Sequence, residues 1–309
     1  MANLKQLAAK PEQLSGGHRA CAGCGAPIIV RQVLMAADSP VVCGSATGCL
    51  EVTTSIFPFT AWRVPFIHSA FENSAASISG VEAAYRSLKR QGKLPVDKEI
   101  KFIAFGGDGG TYDIGLQSLS GAMERGHNML YVCYDNEAYM NTGIQRSSGT
   151  PKYANATTSV AGKAVPGKQQ FRKDLTAIMA AHNIPYTGQT TVGHWNDLIT
   201  KVQKALAVNG PSFINILQPC RLGWGYEPQN TIEMAREAAD TCFWPLFEAV
   251  DGEWKLTYRP KEKKPIADWM QKQARFKHLF RPGQEALIQE IQENVDLEWN
   301  RLLKKCGEA

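Results

Sequence analysis

A chain of 309 residues with 44% hydrophobic and 20% charged residues is long enough to bury one large core or two modest ones. No apolar run approaches the roughly 20 residues that cross a bilayer. The opening MANLKQLAAK also lacks the apolar stretch of a signal peptide, so a cytoplasmic protein without membrane contact is expected. The net charge of +5 is modest, and the densest basic stretch, RPKEKKP at 259–265, has no interleaved aromatics, so nucleic acid is not an expected partner.

In chain order, apolar periodicity predicts a helix over APIIVRQVLMAAD (26–38), short strands over PVVCGS (40–45) and RVPFIHS (63–69), and a helix over ENSAASISGVEAAYRSLKR (72–90). From residue 99 the two periods alternate. EIKFIAF reads as strand, TYDIGLQSLSGAMERG as helix, NMLYVCYDN as strand, FRKDLTAIMAAHN and WNDLITKVQKALAVNG as helices, and PSFINILQ as strand. That order predicts an α/β fold, a doubly wound and mostly parallel sheet of about six strands with helices on both faces. After Cys220 the pattern changes to loop and helix, then one strand over WKLTYRP (254–260), then mostly helix from Pro265. A binding domain is therefore expected over 1–225, with 226–309 a C-terminal helical extension that wraps the body or a neighbouring chain.

GGDGGTYDIG (106–115) directly follows the strand ending at Phe105. In an open parallel sheet, ligands bind beyond the carboxyl ends of the strands, and glycines there let backbone N–H groups approach phosphate. The dinucleotide pattern fails, since the third glycine would stand at 112 and the residue there is Tyr112; no Walker lysine follows either. Asp108, between Gly107 and Gly109, would repel a diphosphate unless a cation lay between them, and Mg2+ commonly bridges protein oxygens to phosphates. A second ligand is expected at the end of the next strand, where Asn136 stands. GDG followed by this asparagine resembles the thiamine diphosphate motif. That resemblance implies Asp108 and Asn136 as side-chain ligands of Mg2+ and Ala138 as a ligand through its backbone carbonyl.

Eight cysteines in a reducing compartment point to metal binding, catalysis or burial rather than disulfides. Cys21 and Cys24 form a C-x-x-C, which fits zinc, a redox dithiol or an iron-sulfur cluster, and no second C-x-x-C follows to complete a zinc ribbon. Cys49 in SATGCLE and Cys220 in LQPCRLG fall in expected loops that can converge on the same mouth of the sheet, and four thiolates are what a 4Fe-4S cluster requires. Cys43 and Cys133 lie inside apolar strands, Cys242 beside FWPLF and Cys306 in the tail, all read as structural. Cys43 is the rival to Cys49, and Cys49 is preferred because its loop offers N–H groups to the sulfur.

Together, HRACAGCGAP, ATGC, GGDGGTYDIG, YMNTGIQRSSGTP and QPCRLGW resemble the thiamine diphosphate-binding beta subunits of the 2-oxoacid:ferredoxin oxidoreductases, over essentially the whole chain and nearest to those acting on pyruvate. The resemblance implies a sheet of the thiamine diphosphate-binding type. It places the cluster ligands at Cys21, Cys24, Cys49 and Cys220, and an active-site asparagine at Asn141, suited to donate a hydrogen bond to a substrate-derived oxygen. It further implies reversible oxidative decarboxylation of a 2-oxoacid, pyruvate before oxalate, 2-oxoglutarate or branched-chain acids, with the acyl group passing to coenzyme A and electrons passing through the cluster to ferredoxin. Expected partners are a pyrimidine-binding alpha subunit, a gamma subunit and a ferredoxin-like delta subunit, or fused equivalents. Arg146 and Arg221 are candidates for meeting a carboxylate or the phosphates of coenzyme A. The rival readings are a thiamine decarboxylase or carboligase with structural zinc, and an electron-transfer subunit without an organic cofactor.

Overall fold

The computed structural model describes residues 3–94 and 99–308; Met1, Ala2 and Ala309, at the outer ends of the two expected units, lie outside the described residues. Its strands are β1 (Val41–Ala46), β2 (Phe66–Ser69), β3 (Lys101–Gly107), β4 (Leu130–Asp135), β5 (Tyr186–Thr191), β6 (Ser212–Leu217), β7 (Leu246–Val250) and β8 (Glu253–Tyr258). They form one eight-stranded sheet in the order β2-β1-β3-β4-β6-β5-β7-β8. All pairings from β2 to β5 are parallel, while β7 runs antiparallel to β5 and β8 antiparallel to β7.

The side-chain period of two sorts the central strands onto two cores. Ile103 and Phe105 of β3, Leu130 and Val132 of β4, and Ile214 and Ile216 of β6 face one layer. That layer is made by the helices Ala26–Ala36 and Trp195–Ala207, whose apolar faces (Ile29, Val30, Val33; Leu198, Ile199, Val202) recur at helical spacing. Phe102, Ala104, Tyr131, Cys133 and Phe213 point the other way, into the helices Ser74–Arg90, Leu116–Glu124 and Leu175–Ala180.

The predicted sheet is right in class and short by two strands. β5 (YTGQTT) and β7 (LFEAV) were not expected; all six residues of β5 are buried although only Tyr186 is a large hydrophobe. Polar partners satisfy it instead: Gln189 Oε1 accepts from Thr176 Oγ1 at 2.8 Å, Gln189 Nε2 donates to the Pro245 carbonyl at 3.0 Å, and Thr190 Oγ1 donates to Asp197 at 2.6 Å. The helix expected over 111–126 is divided, with a wide π-type turn at Gly109–Ile114 before the α-helix Leu116–Glu124.

Beyond residue 226, β7 and β8 extend the sheet, and the helices Thr231–Asp240, Ile266–Met270 and Glu285–Lys305 close a third core around Trp224, Trp244 and Trp269. These three indoles are fully buried, and each N–H has an acceptor: the carbonyls of Asn136 (2.8 Å), Thr190 (2.8 Å) and Met234 (2.9 Å) respectively. A buried indole contributes both area and a directed bond, and truncating one to alanine costs about 3–5 kcal/mol.

Candidate functional site

Four strands adjacent at the centre of the sheet, β1, β3, β4 and β6, deliver the expected residues at their carboxyl ends. Thr47–Cys49 follows β1, Asp108 follows β3, Asn136 follows β4, and Gln218 to Cys220 follow β6. From β1 the chain runs outward to β2 and then crosses back to β3 on the other side, a reversal that opens a crevice between the loops after β1 and β3.

Inside it, three oxygens stand together. With the Asn136 amide oxygen turned inward, it lies 2.8 Å from the Ala138 carbonyl oxygen and 2.9 Å from Asp108 Oδ1, so three acceptors face one another. Turned the other way, the amide NH2 donates to both. Neighbouring ligands on an octahedral Mg2+ at about 2.0–2.1 Å stand about 2.9 Å apart, so the spacing fits a shared cation. Asp108 is fully buried; its Oδ1 accepts from the Asn136 backbone N–H at 3.2 Å and its Oδ2 from the Ser147 hydroxyl. Burial, then the neighbouring Asp135 carboxylate, push the Asp108 pKa well above its ordinary range, an environment in which a bound cation would favour the charged form.

The backbone between Asn136 and Ala138 is unusual. Glu137 has φ 67°, the left-handed region, which costs on the order of 1–3 kcal/mol for a residue other than glycine. It is held there by Thr150 Oγ1, which donates to its carbonyl at 2.6 Å, and by its own N–H donating to Asp135 Oδ1 at 3.0 Å. Two guanidinium groups hold its side chain: Arg275 Nη2 at 2.5 Å and Arg172 Nη1 at 3.6 Å. Arg172 also donates at 2.8 Å to Asp135 Oδ2 and to the Tyr112 hydroxyl, and it lies 4.2 Å over the Trp244 ring.

Gly107, Gly109, Asn136, Ala138, Tyr139 and Asn141 line one small cleft with Thr47–Cys49. Gly109 is required sterically, because a Cβ there would fall within the Tyr139 ring. The Asn141 side chain is exposed and lines the cleft together with Cys49, which brings one of the thiols to it. Arg146 is exposed, and Arg221 has a buried Nε without a partner.

The four expected thiols come from three separate segments. Cys21 and Cys24 lie in the loop before the helix Ala26–Ala36, Cys49 starts the helix Cys49–Thr54, and Cys220 precedes the short turn of helix Arg221–Trp224. Burial raises Cys24 to about 12, and Cys220, Cys49 and Cys21 add to the rise. Burial also raises Cys49 to about 11, with Cys220 and Cys21 acting in the same direction. Cys220 and Cys21 thus act on both Cys24 and Cys49. Donors are aimed at them: Gly223 N–H at Cys220 Sγ (3.5 Å) and Gln218 Nε2 at Cys24 Sγ (3.9 Å). The loop depends on Gly23, at φ 76° with a would-be Cβ 2.5 Å from the Pro228 carbonyl oxygen. Cys43 is different: it is fully buried in the apolar core, and burial alone raises it. Among the described residues no three His, Cys, Asp or Glu side chains close around a single ion. Two of the three oxygens at Asp108 are an amide and a backbone carbonyl, and a four-iron cluster holds its thiolates apart across a cubane, so neither site would take that form.

The model of the thiamine pyrophosphate enzymes' C-terminal TPP binding domain matches residues 46–216. The chain is 50% identical over 310 residues to pyruvate synthase subunit PorB of Thermotoga maritima, covering 97% of this chain and 95% of that protein. It is 52% identical over 287 residues to pyruvate synthase subunit PorB of Methanocaldococcus jannaschii, covering 93% and 95%. It belongs to the beta subunits of the 2-oxoacid:ferredoxin oxidoreductases. Ketoisovalerate oxidoreductase subunit VorB of Pyrococcus abyssi, 41% identical over 96% of this chain and 94% of its own, is a further relative. In fold, this beta subunit is similar to the 2-oxoglutarate:ferredoxin oxidoreductase of Magnetococcus marinus solved with 2-oxoglutarate, coenzyme A and succinyl-CoA, with a TM-score of 0.55 and 21% identity over 71% of this chain and 69% of that one.

In the beta subunit, the structure brings Cys49, Asn136, Ala138 and Asn141 to one cleft, with Asp108 buried against Asn136. Sequence reasoning missed Arg172 and Arg275, which are 37 and 138 residues away from the carboxylates they hold. A larger cavity, about 470 Å³, lies apart from this cleft beneath the C-terminal helix among Phe171, Phe247, Trp254 and Trp299. Among the described residues no helix is long and apolar enough to cross a membrane.

Proposed function

We propose that this beta subunit serves a pyruvate:ferredoxin oxidoreductase, binding thiamine diphosphate through Mg2+ at Asp108, Asn136 and Ala138 and a 4Fe-4S cluster at Cys21, Cys24, Cys49 and Cys220. The observation that supports this reading is that Cys49 and Asn141 line the same cleft as Asn136 and Ala138, with Asp108 buried against Asn136. Electrons leaving a substrate in the cleft then have a short path to the thiol site. Pyruvate is favoured because relatives near 50% identity are named pyruvate synthase, against 41% for the ketoisovalerate oxidoreductase.

When bound, thiamine diphosphate supplies the nucleophilic carbon and the electron sink that decarboxylation of a 2-oxoacid requires. The chain itself supplies position and electrostatics. The Asp108 carboxylate, the Asn136 amide and the Ala138 carbonyl would hold the cation that neutralises the diphosphate, and half-buried Arg172 with buried Arg275 keep the 136–138 loop in its strained conformation. Tyr139, packed on Gly109 and edge-on to Phe71 at 6.1 Å, narrows the cleft against water. Asn141 offers an amide N–H to an oxygen of the reacting group, the kind of donor that acts most strongly where charge develops.

The beta subunit presents one sheet with one such crevice, and thiamine enzymes of this architecture take the carboxylate that activates the aminopyrimidine from a second doubly wound domain. That domain is assigned to a pyrimidine-binding alpha subunit, with coenzyme A and ferredoxin served by gamma and delta subunits or fused equivalents. The purified chain alone should then show no pyruvate-dependent reduction of ferredoxin or viologen. Co-expression with its partners should produce activity, with pyruvate giving the highest kcat/KM in a panel with 2-oxoglutarate, ketoisovalerate and oxalate. Robust turnover by the single chain would refute the division of labour, and preference for another acid would refute the substrate.

A further inference from the structure

The segment Ala274–Phe280, far along the chain from every ligand named above, brings a guanidinium to both halves of the site. Arg275 is 5% exposed. Its Nη2 stands 2.5 Å from Glu137 Oε2, its Nε donates to Gln273 Oε1 at 2.8 Å, and its plane lies 4.0 Å from the Trp224 ring. Trp224 is itself a link, since its backbone N–H donates to the Cys220 carbonyl and its indole N–H to the Asn136 carbonyl, both at 2.8 Å. The segment is seated by Ala274 N–H donating to the Gly225 carbonyl at 3.2 Å. Gly225 has φ 72°, and its missing Cβ makes room for Ala274. Arg275 therefore packs on the turn that carries Cys220 and grips the loop that carries Asn136 and Ala138.

We propose that Arg275 is a positioning residue shared by the two sites, and that its fixed positive charge beside the Cys220 turn makes the cluster bound there easier to reduce. The inference rests on the reading of Cys220 as a cluster ligand. A guanidinium stays protonated even when buried, and in a low-dielectric interior its field on a neighbouring cluster is weakly screened. Reduction adds one negative charge to the cluster, and a nearby cation stabilises that form more than the oxidised one. Glu137 sits at the other end of the guanidinium and cancels part of the charge, so the two residues have opposite effects on the potential.

The test is a redox titration of the complex assembled with its partner subunits, reading the electron paramagnetic resonance signal of the reduced cluster that a Cys49→Ala complex lacks. Arg275→Gln should move the one-electron equilibrium about tenfold toward the oxidised form, a midpoint lower by about 59 mV. Arg275→Lys, which keeps the charge, should stay within about twofold of wild type, and Glu137→Gln should move the midpoint upward. A merely structural role would shift neither midpoint, or both in one direction. An unchanged midpoint in Arg275→Gln, or a fall in Glu137→Gln, overturns the proposal. Should Arg275→Gln fail to fold, Glu137→Gln decides alone, and no rise there overturns it. A wild-type complex lacking any Cys49-dependent signal refutes the cluster reading itself, and the inference falls with it; an intact signal with unmoved midpoints refutes only the inference.

Discussion

Replacing Asp108 by alanine is expected to abolish Mg2+-dependent binding of thiamine diphosphate while leaving the iron content of the protein unchanged. The carboxylate lies 2.9 Å from the Asn136 amide, which is itself 2.8 Å from the Ala138 carbonyl oxygen, and it is the only one of the three that can carry a full charge. Without it, an amide and a carbonyl remain, and the diphosphate loses most of its neutralisation. Even the loss of an outer hydrogen-bond partner weakens metal sites by about 10- to 100-fold, so losing this ligand should exceed about a hundredfold. Asp108→Asn is the sharper control, since it keeps the shape and removes the charge. Calorimetric titration with and without Mg2+ measures both. Affinity equal to wild type in either variant would mean that the glycine-rich turn does not hold the cation.

Cys49→Ala should lose or damage the cluster in anaerobically isolated protein, whereas Cys43→Ala should keep it. Both residues are attached to β1, yet their surroundings differ. Cys43 points into the apolar core, while Cys49 starts a helix at the rim of the cleft with Cys220 and Cys21 acting on its thiol. Removing the Cys43 sulfur leaves a small cavity worth about 1 kcal/mol and no missing ligand. Iron content and the visible absorption band read out the difference. Iron retained in Cys49→Ala and lost in Cys43→Ala would reverse the ligand assignment, and zinc in place of iron would favour a structural metal.

Much of this site is visible in the sequence because its parts are local. Asp108 lies between glycines at a strand end, Asn136 closes the next strand, and Cys21 with Cys24 form a C-x-x-C, so each is recognisable within a few residues. Strands β3, β4 and β6 were equally visible, because a strand buried on both faces must be continuously apolar unless its polar groups find partners. β5 is the exception that escaped. Its threonines and Gln189 are buried against Thr176, Asp197 and the Pro245 carbonyl, contacts that no periodicity encodes.

The least visible feature is the support of the 136–138 loop. Nothing near Glu137 announces that it adopts φ 67° or that Arg172 and Arg275 neutralise it, because those arginines approach only after the chain has folded. Residues beyond 226 read as a helical extension that wraps the body or a neighbouring chain, with one strand at 254–260. The structure shows that the same stretch carries two strands of the sheet and delivers Arg275 to the site. A cluster of buried carboxylates at Asp108, Asp135 and Glu137 would be costly without such cations.

If one cleft serves both the thiamine cofactor and the cluster, anaerobic mixing of the oxidised, cofactor-loaded complex with pyruvate couples the two. Without ferredoxin present, the Cys49-dependent visible band should bleach in the wild-type complex. It should remain unbleached in the Asp108→Ala complex even though its iron content equals that of wild type. Equal bleaching in both, or none in the wild type, would contradict the account.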